Sequence, residues 1–98
     1  MQFEWDEKKG KLNLQKHLVS FEEAKSVFYD EDALLIPDPK HSIDEDRFIL
    51  MGMSERVREL VVSYCERVYE DELEVIRIIS ARKADQEERK EYWRRKGI

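Results

Sequence analysis

The spacing of apolar residues in this chain changes from helical near the N-terminus to alternating in the second half. Phe3 and Trp5 alternate with polar neighbours, which predicts a short strand. Asp6 then offers an N-cap for a helix over residues 7 to 18, because good helix formers fill that stretch. The apolar positions of this helix are Leu12, Leu14 and Leu18.

A second helix is predicted to begin at Phe21. The Ser20 hydroxyl can accept a hydrogen bond from the Glu23 amide while the Glu23 carboxylate reaches back, which is the capping-box pattern. Val19 and Ala24 occupy the positions at which apolar side chains pack across such a helix start. The helical spacing ends before the polar turn at residues 29 to 32.

Strand patterns dominate the rest of the chain. The short apolar run Ala33 to Ile36 is stopped by Pro37 and Pro39, and three longer β-rich runs follow. These runs are Arg47 to Met53, Leu60 to Glu66 and Val75 to Lys83. We expect them to form an antiparallel meander, with the short run paired at one side.

A closing helix is predicted from Asp85, which repeats the capping-box pattern with Glu88, to about Lys96. Its large apolar residues are Tyr92, Trp93 and Ile98. With so narrow an apolar contact, the helix either lies over an edge of the sheet or is covered by a partner chain. The fold class is therefore α+β, with two N-terminal helices, an antiparallel sheet of about four to five strands and a C-terminal helix.

Length, composition and charge limit the possible functions. The 98 residues are 41% apolar, which is enough for one core, so residues 1–98 form a single domain. The net charge is -5, but seven acids lie between Asp30 and Asp46 against Lys40 alone. Cations slightly outnumber acids in the remainder, so a cationic surface elsewhere is compatible with the overall charge.

The single cysteine, Cys65, lies in an apolar run and is interpreted as a small buried residue. The N-terminus has neither the basic nor the apolar region of a secretory signal. No run approaches the roughly 18 apolar residues of a membrane span. We expect a cytoplasmic protein with no membrane partner.

The last strand carries the most informative charges, Arg77, Arg82 and Lys83. Arg77 lies in mid-strand, where a solvated charge is unexpected. Either it pairs with a carboxylate such as Glu66 on the neighbouring strand, or its planar guanidinium holds a phosphate. Regular alternation places Arg77 and Arg82 on opposite faces, so both can serve one site only if the strand twists or bulges near Ser80.

The two histidines give weaker indications. His17, preceded by Lys16, is either a cation favoured by the helix dipole or a group that transfers protons at neutral pH. His41 lies in the acidic segment without other ligands at the spacing that a metal site needs. The three glycines are too far apart for a nucleotide-binding loop. No metal or other cofactor is expected.

Taken in order, several segments of the chain resemble the BrnT family. They are Phe3 to Asp6, Asn13 to His17, Val19 to Ala24, Pro37 to Ser42 and Ile76 to Ala84. The resemblance spans almost the whole chain and implies a RelE-like fold. It also implies a type II toxin that inhibits translation by cutting RNA and is neutralised by the antitoxin BrnA. The ribbon-helix-helix part of BrnA binds DNA, so contact of this chain with DNA would be indirect.

The reaction that this resemblance implies is metal-independent attack of a ribose 2′-hydroxyl on the adjacent phosphate, which is open to RNA and closed to DNA. Such a reaction needs a base, an acid and cations around the phosphorane. On residue chemistry, we assign proton transfer to His17 or Glu66. The predicted phosphate and RNA contacts are Lys16, Arg67, Arg77, Arg82 and Lys83.

Two other functions stay open. A toxin-like domain without cleavage could act only with its antitoxin as a repressor complex, which the acidic net charge favours. A surface adaptor could dock on a basic partner through the acidic segment, but this would leave the cationic last strand without a role. The spacing between Arg67 and Ile76 is longer than expected for the family hairpin, so the register of Arg67 against Arg77 is also open.

Overall fold

The strands and helices of the structure lie close to the positions that the alternation and capping patterns predict. The computed structural model describes residues 1–37 and 47–97, which form three α-helices and five strands. The helices are α1 (Glu7–His17), α2 (Phe21–Ser26) and α3 (Gln86–Arg95), and a 3₁₀ turn over Val27–Tyr29 follows α2. The strands are β1 (Gln2–Glu4), β2 (Leu34–Pro37), β3 (Arg47–Met53), β4 (Glu59–Val68) and β5 (Glu74–Lys83). None of these helices is long and apolar enough to cross a membrane.

Each α-helix begins at a side-chain cap, as predicted. Asp6 accepts hydrogen bonds from backbone amides at the start of α1, and the Ser20 hydroxyl accepts one from the Glu23 amide at 3.0 Å. Asp85 and Glu88 form both halves of the capping box at α3. At α2 the second half of the predicted capping box, in which the Glu23 carboxylate reaches back to the helix start, is wrong.

The Glu23 carboxylate points into the fold instead of back to its own helix end. It accepts hydrogen bonds from Arg58 Nε at 2.9 Å and from the Ser54 hydroxyl at 2.6 Å. Arg58 also donates to the Leu18 carbonyl at 3.1 Å. A buried carboxylate requires such partners, and these bonds join α1 and α2 to the turn between β3 and β4.

The sheet is mixed, with strand order β1-β5-β4-β3-β2. The predicted antiparallel meander of β3, β4 and β5 is confirmed, and β2 pairs with β3 at one side. β1 pairs with β5 in parallel, with Gln2 opposite Val75. A wholly antiparallel sheet was therefore the wrong prediction, because a partner some 70 residues away in sequence cannot be inferred from local patterns.

The helices divide the sheet into two unlike faces. On the face covered by α1 and α2, here called the helix face, side chains of β4 and β5 pack against those of α2 and its flanks. This core consists of Val19, Phe21, Ala24, Val27, Leu60, Val62, Ile78 and Ala81. The opposite face, here called the open face, is covered at one end by α3.

The closing helix packs on the sheet within the chain. Tyr92 is fully buried and clusters with Met51 and Val61 on the open face. Its hydroxyl donates to Asp30 Oδ2 at 2.7 Å, while Trp93 Nε1 donates to a Glu59 carboxylate oxygen at 2.9 Å. The helix thus lies on a face of the sheet, so the predicted position over an edge, one of the two alternatives, is wrong.

α1 is held to the sheet by an asparagine and not by its leucines. Asn13 Nδ2 donates to the carbonyls of Val19 and Ala81 at 2.9 and 2.8 Å, and its Oδ1 accepts from the Ala81 amide at 3.1 Å. The Asn13 amide thus pairs with β5 as a neighbouring strand would, beyond the point where β1 ends. The leucines Leu12, Leu14 and Leu18 are 62%, 48% and 63% exposed, so the apolar positions of α1 do not mark its core side.

Replacing Asn13 with alanine should therefore lower the free energy of unfolding by about 2 kcal/mol, because it leaves buried backbone groups of Val19 and Ala81 without partners. Urea denaturation with a fixed m-value would measure the change. Gln15→Ala is the matched control, since Gln15 is an exposed polar residue of the same helix. Equal unfolding midpoints for both variants would contradict the anchoring role.

Candidate active site

β5 carries an extra residue that brings Arg77 and Arg82 to the same face of the sheet. The register of β4 against β5 shifts between Ser63 and Tyr64, so Ile79 of β5 has no partner. A β-bulge of this kind reverses the alternation of the residues that follow it. Both arginines therefore project from the open face, through a bulge of the kind that the sequence named as one way for them to share a face.

Arg77 belongs to a row of four side chains that crosses the open face. The pairing register aligns Arg47 of β3, Cys65 of β4, Arg77 of β5 and Glu4 of β1. Arg67 projects from the same face two residues further along β4. Because neighbouring strands lie only about 5 Å apart, this arrangement concentrates positive charge along one end of the sheet. Cys65 in the row is buried, as predicted.

Glu4 is the ion-pair partner of Arg77. Arg77 Nη1 donates to Glu4 Oε2 at 2.6 Å, and the Tyr69 hydroxyl donates to Glu4 Oε1 at 2.6 Å. The hydrogen bond from Tyr69, together with the hydrogen bond and the charge of Arg77, lowers the pKa of Glu4 against the opposing effect of burial. The predicted pairing of Arg77 with a carboxylate is thus confirmed, but Glu66 was the wrong partner because its side chain lies on the helix face, opposite Ile76.

Arg82 is held at the α3 end of the open face. Its two terminal nitrogens donate to the two carboxylate oxygens of Glu88 at 2.8 and 3.0 Å, a fork-to-fork geometry. This bond raises the pKa of Arg82 and lowers the pKa of Glu88. Because Glu88 also accepts from the Asp85 amide, Arg82 is fixed to the start of α3.

The two arginines are too far apart to grip one phosphate. Their partners on β4, Cys65 for Arg77 and Val61 for Arg82, are four residues apart, which corresponds to about 13 Å along a strand. Their side chains also turn in different directions, towards Glu4 on β1 and towards α3. Any single RNA strand that touches both would therefore do so through different phosphates.

Lys16 and His17 do not join Arg77. α1 begins beside β1, next to Arg77, and runs along β5, so its last turn lies towards the Lys83 end of that strand. Six residues separate Arg77 from Lys83, which is about 20 Å of strand. In the part of the chain that the structure describes, the side chains of Lys16 and His17 make no hydrogen bond or ion pair. The expected grouping of these residues beside Arg77 is wrong.

The remaining predicted residues divide between the two faces. Lys83 lies opposite Leu60 and is exposed on the helix face, whereas Arg67 lies opposite Val75 on the open face. Glu66 is exposed and, with Arg67, lines a shallow pocket of about 210 Å³ at the β4–β5 hairpin. The pocket also contains Met1, Gln2, Val68, Glu74, Val75 and Ile76. Of the seven predicted site residues, only Arg67, Arg77 and Arg82 share the open face.

Sequence reasoning missed Glu4 and Tyr69. The alternation around Phe3 indicates that Glu4 points away from the core, but its neighbour depends on the parallel pairing of β1 with β5. Tyr69 follows β4 in the hairpin turn, where its amide donates to the Leu73 carbonyl at 3.0 Å. No local pattern in the sequence links a residue in this turn to β1.

Candidate metal ligands are sparse. Within residues 1–37 and 47–97, no group of three or more His, Cys, Asp and Glu side chains could hold a metal ion. His41 and much of the acidic segment around it lie outside the described residues.

Comparison with known proteins connects this geometry to a family. A family profile described as "Ribonuclease toxin, BrnT, of type II toxin-antitoxin system" matches residues 5–88. The fold is similar to the 1.1 Å crystal structure of the Brucella abortus ribonuclease toxin BrnT, with a TM-score of 0.64 and 25% sequence identity. That match covers 88% of this chain and 99% of the Brucella chain. No match was found among curated proteins.

The profile match begins just after β1 and ends in the first turn of α3, so it takes in strands β2 to β5. The structural match extends over a similar share of the chain and carries the same mixed α+β architecture. A type II toxin implies an antitoxin partner. This chain therefore belongs to the BrnT family of ribonuclease toxins of type II toxin-antitoxin systems.

Proposed function

We propose that this toxin cleaves RNA on the open face of its sheet, at the row that contains Arg77 and Glu4. The observation that supports this location is the juxtaposition of Arg77, Arg67 and Arg47 beside one carboxylate and one tyrosine hydroxyl. Guanidinium groups suit a phosphate because they present parallel donors, and they supply the positive charge that a pentacoordinate phosphorane requires.

In the proposed reaction, the ribose 2′-hydroxyl gives up its proton and attacks the adjacent phosphorus. The bond from phosphorus to the 5′-oxygen breaks, and the 5′-oxygen takes up a proton from water. Glu4 is the proposed acceptor of the 2′-hydroxyl proton, because it is the carboxylate held beside Arg77 and it is ionised at neutral pH. Arg77 and Arg67 stabilise the charge on the phosphorane. Arg82, on the same face, is the proposed contact to flanking RNA. The predicted roles of His17, Glu66, Lys16 and Lys83 are not used at this location, because these residues lie on the helix face or towards the far end of β5.

The partner that we propose is a BrnA-like antitoxin with a ribbon-helix-helix domain, so that any contact with DNA is made by the antitoxin. The family match implies an antitoxin partner, and the BrnA group is proposed from the resemblance of the segments given in the sequence analysis. The likeness to the RelE ribonucleases stays a prediction.

A test of the mechanism uses the purified chain and a 5′-labelled RNA in EDTA. We expect cleavage at an unchanged rate, products that end in a 2′,3′-cyclic phosphate, and no cleavage of the same RNA carrying a 2′-deoxy sugar at the cut site. Loss of activity in EDTA that returns with Mg²⁺, or products with a free 3′-hydroxyl, would contradict the mechanism. The deoxy substrate is also the control for binding, since it keeps the phosphates.

A second candidate is a toxin-like module that binds its antitoxin without cutting RNA. The ion pairs of Arg77 with Glu4 and of Arg82 with Glu88 favour it, because both guanidinium groups already have carboxylate partners within the chain. Induction of the chain alone in bacteria separates the two. Growth arrest with cleaved RNA, relieved by the product of the neighbouring gene, supports the enzyme, whereas normal growth with complex formation supports the module.

A further inference from the structure

The Glu4 carboxylate is shared between two side chains, and each of its oxygens accepts from a different one. Arg77 Nη1 donates to Oε2 and the Tyr69 hydroxyl donates to Oε1, each at 2.6 Å. Among the described residues, the Arg77 guanidinium makes this one hydrogen bond. Because a guanidinium carries several further N–H donors, most of the donors of Arg77 are free.

The Arg82–Glu88 pair shows the geometry that an arginine and a carboxylate adopt elsewhere on the open face. The two terminal nitrogens of Arg82 donate to both oxygens of Glu88, at 2.8 and 3.0 Å, so this fork is closed. Glu88 also accepts from the Asp85 amide, so an additional donor does not by itself exclude a fork. At Glu4, in contrast, the oxygen that would complete the fork is turned to Tyr69.

The backbone of the turn between β4 and β5 fixes the point from which the Tyr69 side chain starts. The Tyr69 amide donates to the Leu73 carbonyl at 3.0 Å, and the Tyr69 carbonyl accepts from the Glu72 amide at 2.8 Å. The hydrogen bond to Glu4 raises the pKa of Tyr69 above its ordinary value of 10.0. The hydroxyl therefore keeps its proton at neutral pH and acts as a donor to the carboxylate.

We propose that Tyr69 is a positioning residue, which holds Glu4 out of a closed fork so that one edge of the Arg77 guanidinium stays free for an RNA phosphate. This inference rests on the phosphate-binding role of Arg77 under the proposed function. The free Nη2 and Nε groups of Arg77 form an edge that matches two oxygens of a phosphate. Without the Tyr69 hydroxyl, the carboxylate can turn fully towards Arg77, and RNA then has to compete with Glu4 for the same donors.

The test measures the affinity of the full chain for a single-stranded RNA that is 2′-O-methylated throughout, which keeps its phosphates but cannot be cut by the proposed reaction. Tyr69→Phe removes the hydroxyl alone and should bind this RNA about tenfold more weakly, because a hydrogen bond to a charged group is worth at least this much. The slope of log K against log salt concentration should fall in magnitude by about 0.7, the value for one phosphate contact on a single strand. A loosened turn alone would not remove one phosphate from this slope.

Glu4→Ala provides the second background for the test. It removes the carboxylate that pairs with Arg77, so it should bind the RNA more tightly than the parent does. Tyr69→Phe in the Glu4→Ala background should bind within about twofold of Glu4→Ala alone, since the hydroxyl then has no carboxylate to hold. Tyr29→Phe is the matched control, because it removes the hydroxyl of another exposed tyrosine, in the 3₁₀ turn after α2, and should leave the affinity unchanged.

Three results would overturn the proposal. The first is an unchanged affinity and salt slope in Tyr69→Phe. The second is an equal loss in the parent and Glu4→Ala backgrounds, which would mean that the hydroxyl contacts the RNA itself. The third is a parent that does not bind the RNA, or that binds it no better than Arg77→Ala does.

Cleavage of unmodified RNA, measured in parallel, separates these results from a failure of the proposed enzyme. A parent that binds RNA without cutting it, and whose affinity depends on Tyr69 as expected, would contradict the enzyme and support the role of Tyr69. A parent that cuts RNA while Tyr69→Phe binds as tightly as the parent would contradict the role of Tyr69 alone.

Discussion

Replacement of Arg77 by alanine is expected to lower the rate of RNA cleavage at least a hundredfold. Removing a positively charged donor from a developing oxyanion typically costs about 10² to 10³ in rate. Arg77→Lys keeps the charge but loses the planar fork, so it should recover only part of the activity. The measurement is the single-turnover rate on a labelled RNA at saturating protein.

Arg82→Ala and Arg89→Ala are the comparisons for this experiment. Arg82 lies about 13 Å from Arg77 along the sheet and is bound to Glu88, so its loss should reduce cleavage less than tenfold. Arg89, an exposed arginine of α3, should have no effect. Equal losses for Arg77 and Arg82, or full activity of Arg77→Ala, would contradict the location of the site. The Arg77–Glu4 pair is partly solvated, so the variant should lose at most about 1 kcal/mol of stability.

The meander could be predicted because its signals are local. Alternating β-rich runs, caps at Asp6, Ser20 and Asp85, and the proline stop after Ile36 each follow from residues a few positions apart. The pairing of β1 with β5 joins the two ends of the chain, and no short pattern carries that information. The sheet was therefore predicted to be antiparallel although one of its pairs is parallel.

The contrast between local patterns and pairing of distant segments also explains which parts of the candidate site could be predicted. Arg77 and Arg82 could be recognised as unusual charges in an apolar strand, and their spacing alone indicated that a twist or bulge would be needed to bring them to one face. The residues around Arg77 could not be predicted. Glu4 reaches Arg77 through the parallel pairing of β1 with β5, and Tyr69 reaches Glu4 from the hairpin turn. Lys16 and His17 were grouped with the arginines by chemistry, but the course of α1 along β5 separates them.

Replacing Arg58 with methionine is expected to lower the free energy of unfolding by about 3–4 kcal/mol. The variant leaves the Glu23 carboxylate, which is only 2% exposed, without its charged partner, and an unpaired buried charge is costly. Because proteins of this size are typically stable by about 5–15 kcal/mol, this loss is a large share of the total. Urea denaturation gives the change, and Arg95→Ala, from an exposed ion pair with Glu91 on α3, should stay within about 0.5 kcal/mol of the parent.

A double variant tests whether the cost arises from the unpaired charge. Glu23→Leu in the Arg58→Met background removes the carboxylate, so the double variant should be more stable than Arg58→Met alone.

The pH dependence of stability supplies a second test of the ion pair between Glu23 and Arg58. Burial raises the pKa of Glu23, but hydrogen bonds from Arg58 and Ser54 outweigh it and the pKa is lowered. The ion pair therefore stabilises the fold fully above the ordinary pKa of 4.5 and is lost as the pH falls below it, so acid should destabilise the parent more than the double variant. Identical acid profiles would mean that the pair contributes through packing alone.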